Sequence, residues 1–143
     1  MSDAPFGLIA VDKQGSNVLF LNPQTFAVEQ QLNAFPPRPH ELLILPQQNK
    51  AYVPIFGDGI HGDNPHPGHK IAVIDLVTRQ LSRFIDIRPL VSPHTARLGR
   101  DGRVYICCEN SAAILVIDPE TDRPIDQIAL PSHNSHRLTI LPS

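Results

Sequence analysis

Lys50-Ala51-Tyr52-Val53-Pro54-Ile55, a His/Gly/Pro-rich loop, and then Ile71-Ala72-Val73-Ile74-Asp75-Leu76-Val77-Thr78 make up the stretch that decides the fold. Two short runs rich in β-branched and aromatic residues, separated by turn-forming residues, read as two strands. The same grammar returns at Arg103 to Thr121. There Val104-Tyr105-Ile106-Cys107-Cys108 leads to Ile114-Leu115-Val116-Ile117-Asp118-Pro119-Glu120-Thr121. A fainter copy runs from Gly7 to Thr25. One unit is repeated.

Two independent markers give the period. Asp118-Pro119-Glu120-Thr121 follows Asp75-Leu76-Val77-Thr78 by 43 residues (78 to 121), and Asn22-Pro23-Gln24-Thr25 precedes the latter by 53 (25 to 78). The extra residues fall in the loop between Phe56 and Lys70. Pro39-His40, Pro93-His94 and Ser135-His136 recur at spacings of 54 (40 to 94) and 42 (94 to 136), and the first interval again holds the insertion. Within the best-defined unit, strands are predicted at Glu41–Leu45, Lys50–Ile55, Lys70–Leu76 and Gln80–Ile87. Pro46-Gln47-Gln48-Asn49 and Leu76-Val77-Thr78-Arg79 supply turns. In the next unit Gly99-Arg100-Asp101-Gly102 and Asp118 to Asp122 take their places, and Asp-Gly is a strong hairpin signal. An Asp opening its turn can accept backbone N–H groups two residues on.

Four strands in about 43 residues is the blade period of a β-propeller. The sequence therefore predicts an all-β chain, a β-propeller segment of four-stranded antiparallel blades. Its parts are a partial blade at 7–34 (strands Leu8–Asp12, Val18–Asn22 and Val28–Leu32), blades at 39–90 and 93–131, and the start of another at 135–143, with a strand at Arg137–Leu141. A parallel α/β fold lacks its amphipathic helices, and a β-sandwich would not return every 43 residues. About three blades is short of the roughly four to eight of a closed ring. The expected partners are thus the remaining blades of a longer chain, or copies of this one that close the ring.

Composition agrees. The 143 residues are 41% hydrophobic and 18% charged, which is globular. Fifteen prolines and eight glycines favour short elements and many turns. A net charge of −2 gives no electrostatic case for nucleic acid or a membrane surface. The segment Met1 to Pro5 lacks the basic and apolar regions of a signal peptide, so a cytoplasmic location is expected. The two cysteines, Cys107 and Cys108, are adjacent and read as reduced, packed thiols.

Tyr52-Val53-Pro54-Ile55-Phe56-Gly57-Asp58 and Val104 to Asn110 resemble the Tyr-Val-Thr-Asn strand of the YVTN β-propeller repeat. Ile71–Thr78 and Ile114–Thr121 resemble its Val-x-Val-Ile-Asp-x-x-Thr strand, and Pro39-His40 and Pro93-His94 its Pro-His opening. Pro54-Ile55 and Cys107-Cys108 depart from it in lacking Thr-Asn. The resemblance implies the YVTN or lactonase-like propeller architecture, which carries surface-layer proteins, periplasmic binding proteins and lactonase-like enzymes. The implied role is a ligand-binding or protein-interaction scaffold. The alternative is a lactonase-like hydrolase or isomerase.

His40, His94 and His136 sit at the entry to successive inner strands, which line a propeller's channel. They are the expected binding residues for a small molecule or protein at the channel mouth. Glu41, Arg97 and Arg137 sit next to them; the arginines could clamp a carboxylate, and a histidine or a glutamate such as Glu109 could serve as general base. A bland reading has each His capping a turn through backbone. The inserted loop Gly57–His69 offers His61, His66 and His69 as metal-ligating types. No cofactor motif is present in the sequence.

Overall fold

The computed structural model describes residues 7–142. Among them, eleven strands form three antiparallel sheets with strictly sequential neighbours. The first sheet is β1 (Leu8–Asp12), β2 (Asn17–Leu21) and β3 (Val28–Leu32). The second is β4 (Leu43–Leu45), β5 (Lys50–Gly57), β6 (Pro67–Asp75) and β7 (Gln80–Asp86). The third is β8 (Pro93–Leu98), β9 (Val104–Cys108), β10 (Ala113–Asp118) and β11 (Arg123–Ala129).

The predicted turn chemistry is present in every sheet. Asn22 Oδ1 accepts from the N–H groups of Gln24 and Thr25, both at 2.9 Å. Asp75 Oδ1 accepts from Val77 at 2.8 Å and Thr78 at 3.0 Å, and Asp118 Oδ1 from Glu120 at 2.9 Å. The next residue after each Thr is left-handed: Phe26, Arg79 and Asp122, with φ between 57° and 62°. Each hairpin then takes a register shift, at Phe20/Leu21, Val73/Ile74 and Val116/Ile117. A polar anchor, a positive-φ residue and a bulge form one three-part hairpin, repeated three times.

The sheets stack face to face on two apolar layers. Val18, Phe20, Leu32 and Phe35 meet Ala51, Val53, Ile55, Ala72 and Ile74 between the first two sheets. Tyr52, Ile71, Val73, Ile85 and Ile87 meet Ala96, Val104, Ile106, Cys108 and Leu115 between the second and third. Alternation along β5 divides its side chains between the layers, with Ala51, Val53 and Ile55 in one and Tyr52 in the other. A buried polar staple ties the second layer. Asp122 accepts from Lys50 Nζ at 2.7 Å and also bonds Tyr52 and Arg83. Burial and the Asp122 carboxylate both push the Tyr52 hydroxyl far above its usual pKa.

Two expectations are corrected. Arg137–Leu141 is not a strand; residues 130–142 run without a ladder. A blade's first strand is held by its second, and no strand among the described residues pairs with this segment. The loop predicted at 57–69 is shorter, because β5 runs to Gly57 and β6 starts at Pro67, with those two residues paired across the ladder. Gly57 makes this possible. Its φ is +118°, and a Cβ there would lie 2.5 Å from the His66 carbonyl oxygen.

Candidate functional site

A second set of positive-φ residues delivers the histidines. Arg38, Ser92 and Asn134, with φ of 60°, 58° and 66°, each lie two residues before His40, His94 and His136. Backbone bonds then fix the chain in equivalent ways. Phe56 N donates to Arg38 O at 3.1 Å, and Glu109 N to Ser92 O at 3.1 Å. Phe56 and Glu109 thus occupy one structural position in consecutive sheets. Asn134 is held differently, as a donor: its N–H bonds the Glu109 carbonyl of the preceding sheet at 2.9 Å.

The three imidazoles form a row of tilted rings, with interplanar angles of 45° and 51°. Ring centroids are 3.8 Å apart for His40 and His94, and 4.1 Å for His94 and His136. Phe56, fully buried, closes one side, 5.4 Å from His40 and 5.5 Å from His94. Among the described residues, none of the three makes the imidazole-to-backbone bond of the bland reading. His40 Nε2 accepts from Lys13 Nζ at 2.9 Å. His94 Nδ1 lies 3.1 Å from the Thr95 hydroxyl, and that hydroxyl is 3.0 Å from the His136 carbonyl and 3.2 Å from Glu41 Oε1. His136 Nδ1 lies 2.8 Å from Glu109 Oε1.

The inserted loop adds a fourth ring. His61 Nδ1 is 2.5 Å from the same Glu109 oxygen, and its ring centroid is 4.6 Å from that of His136. Asn64 sets the loop's path. Its Nδ2 donates to Phe56 O at 2.8 Å and Ser92 Oγ at 2.9 Å, while its Oδ1 accepts from Gly59 N at 3.0 Å. The loop's three histidines therefore do not converge. His66 pairs with Asp58 at 2.8 Å, and His69, on β6, with Asp86 at 3.3 Å. Only His61 joins the cluster, so the expected His61/His66/His69 set is replaced by one that crosses sheets.

The two expected arginines are separated. Arg97 lies 3.6 Å from Glu41 Oε2, and Glu41 Oε1 lies 3.6 Å from His94 Nδ1. Arg137 is exposed and makes no ion pair among the described residues. Lys13, Thr95 and Phe56 are site residues that the sequence reading did not single out.

Electrostatics divides the cluster. Burial first, and then the Lys13 ammonium, lowers the His40 pKa to about 4. Burial, and then the His40 imidazole, lowers His94 to about 3. Both rings are neutral at pH 7. Glu109 is 0% exposed. Among the described residues, the buried side-chain nitrogen and oxygen atoms with no hydrogen-bond partner are His40 Nδ1, His94 Nε2 and Glu109 Oε2, all in this cluster. Burial pushes Cys107 up to about 11 and Cys108 up to about 12, so neither is a thiolate at pH 7.

No protein-family model matches the chain, and no curated protein matches it. Solved structures do. Hydrazine synthase of Kuenenia stuttgartiensis is similar over 90% of this chain and 34% of its own length, with 19% identity and a TM-score of 0.71. The dihydro-heme d1 dehydrogenase NirN, in complex with DHE, is similar over 92% and 27%, with 14% identity and a TM-score of 0.73. Apo AztD from Citrobacter koseri is similar over 93% and 34%, with 15% identity and a TM-score of 0.63. All three are β-propeller proteins. The fold is a β-propeller. The chain spans about a third of the length of these propellers. Its sheets are blades, and the histidine cluster lies where the openings of their inner strands meet. At these identities the likeness speaks to fold alone.

Proposed function

We propose that this part of the propeller is a binding scaffold of the YVTN or lactonase-like type, which holds a small polar ligand at the channel mouth against His40, His94, His136 and Glu109. One observation carries the reading. Among the described residues, the three unpartnered buried polar atoms belong to a single cluster, and buried polar groups are otherwise almost always paired. A ligand contacting them would relieve that cost, which is about 1–3 kcal/mol for each group. Two neutral imidazoles and a carboxylate suit a ligand with both donor groups and positive or metal character.

The neighbours are about three times as long as this chain, which supports a ring completed by further blades or by a second copy. Light scattering tests the second-copy form, for which a discrete β-rich dimer is expected; a folded monomer would leave completion to blades of a longer chain.

The binding reading is tested by thermal unfolding against a panel of sugar lactones, dicarboxylates and divalent cations. At least one member should raise the Tm of the parent and not that of His94→Ala. A flat response across the panel would remove the reading. A hydrolytic role has one observation of its own, the Glu41 carboxylate set between His94 and Arg97. It requires turnover of a lactone that His94→Ala abolishes, and unchanged turnover would exclude it.

A further inference from the structure

We propose that His61, Glu109 and His136 bind a divalent transition-metal cation of the zinc class, with His61 as a ligand carried by the inserted loop. The inference rests on the binding reading above and names the ligand for one half of the cluster.

Three donor atoms converge from three separate parts of the chain. His61 Nδ1 and His136 Nδ1 lie 2.5 and 2.8 Å from Glu109 Oε1. The three residues offer donor atoms within 4.8 Å of one another. Two imidazole nitrogens and one carboxylate form a donor set used for zinc and its neighbours. Three protein ligands would leave a further position for water or a bound molecule, as in open rather than closed zinc sites.

Charge explains why a cation belongs here. The Glu109 side chain is 0% exposed and meets no Lys or Arg among the described residues. A buried carboxylate is costly unless a positive group faces it. Two imidazoles can each give one N–H to Oε1, which leaves Oε2 without a partner. A divalent cation would supply the missing charge and displace those protons. The site is reachable, since the His61 and His136 side chains are 50% and 36% exposed.

A second group, His40, Glu41 and His94, also brings its donor atoms within 4.8 Å of one another. There, however, the Lys13 ammonium already occupies His40 Nε2, and the Arg97 guanidinium stands 3.6 Å from Glu41. Both charges repel a cation. The same comparison that favours Glu109 disfavours Glu41.

The test uses the full-length chain without an affinity tag, stripped with chelator. Co²⁺ is titrated while its visible ligand-field absorption is followed, and Zn²⁺ is then added to compete. Equimolar Co²⁺ should bind with intense bands, and Zn²⁺ should displace it. His61→Ala, His136→Ala and the isosteric Glu109→Gln should each weaken binding by more than the roughly 10–100-fold that loss of an outer-sphere partner costs. His66→Ala and His69→Ala should leave it unchanged. Far-UV circular dichroism checks that each variant is folded, and His61→Ala, on an exposed loop, keeps the test open if Glu109→Gln is not. Co²⁺ binding that survives in folded His61→Ala or Glu109→Gln would overturn the site. If the parent binds no metal but a lactone or dicarboxylate raises its Tm in the presence of chelator, the metal inference falls and the binding reading stands. If nothing binds, both fall.

Discussion

Phe56 and Glu109 stand at one structural position in neighbouring blades, each with its N–H tied to the residue two before a histidine. Both are completely buried. One presents a ring to His40 and His94; the other presents a carboxylate to His61 and His136. The pair divides the cluster into a dry half, where the imidazoles are neutral and packed, and a charged half, where they face a carboxylate. A repeat can hold backbone geometry constant and still build a chemically uneven site.

The largest expected effect breaks the dry half. Phe56→Ala should cost about 3–5 kcal/mol, the usual result of removing a buried aromatic ring. Urea unfolding measures it, and a loss below about 1 kcal/mol would mean that the ring does not hold the two histidines in place.

Acid comes next. The folded pKa values of His40 and His94 are about 4 and 3, below the ordinary 6.5. Between those limits the unfolded chain binds more protons than the folded one, so stability rises with pH. It should be complete above about pH 6.5 and should fall as the pH drops towards 4. The expected loss is on the order of 1–3 kcal/mol, less than the full roughly 1.4 kcal/mol per group per pH unit because His40 is only partly buried. His94→Phe should flatten the profile of urea midpoint against pH. An unchanged slope would place the acid sensitivity elsewhere.

A smaller effect probes the link between the halves. Asn64→Ala strips the Phe56 carbonyl of its side-chain donor and unties the loop that carries His61. About 1–2 kcal/mol should be lost, since Ser92 Oγ keeps Asn110 as a partner. Hydrogen exchange should quicken at residues 58–63 while the β8 amides stay protected. The smallest effect is at His66, whose side chain is 78% exposed. His66→Ala should stay within about 0.5 kcal/mol, because its pairing with Asp58 is a surface contact.

The fold was legible because its determinants are local and repeated. The Asn22, Asp75 and Asp118 turns each announce a hairpin by a polar residue at a fixed offset, and all three make their bonds. The same periodicity put His40, His94 and His136 at one level, and their rings do meet. What escaped the sequence depends on long-range geometry. His61 reaches Glu109 across 48 positions, along a path set by Asn64, and no period encodes it. Lys13 meets His40 from 27 residues away for the same reason. Arg137 shares the sequence neighbourhood of His136 but not its burial, because that segment lacks a ladder to fix which side faces inward.

The left-handed residues Arg38, Ser92 and Asn134 have a consequence for how such a surface can change. They specify where a side chain is delivered without specifying which one, since the turn and its backbone bonds hold whatever residue follows two places later. This edge of the blades behaves as a row of sockets. Chemistry there can be rewritten one residue at a time, and the blades need not be redesigned to receive it.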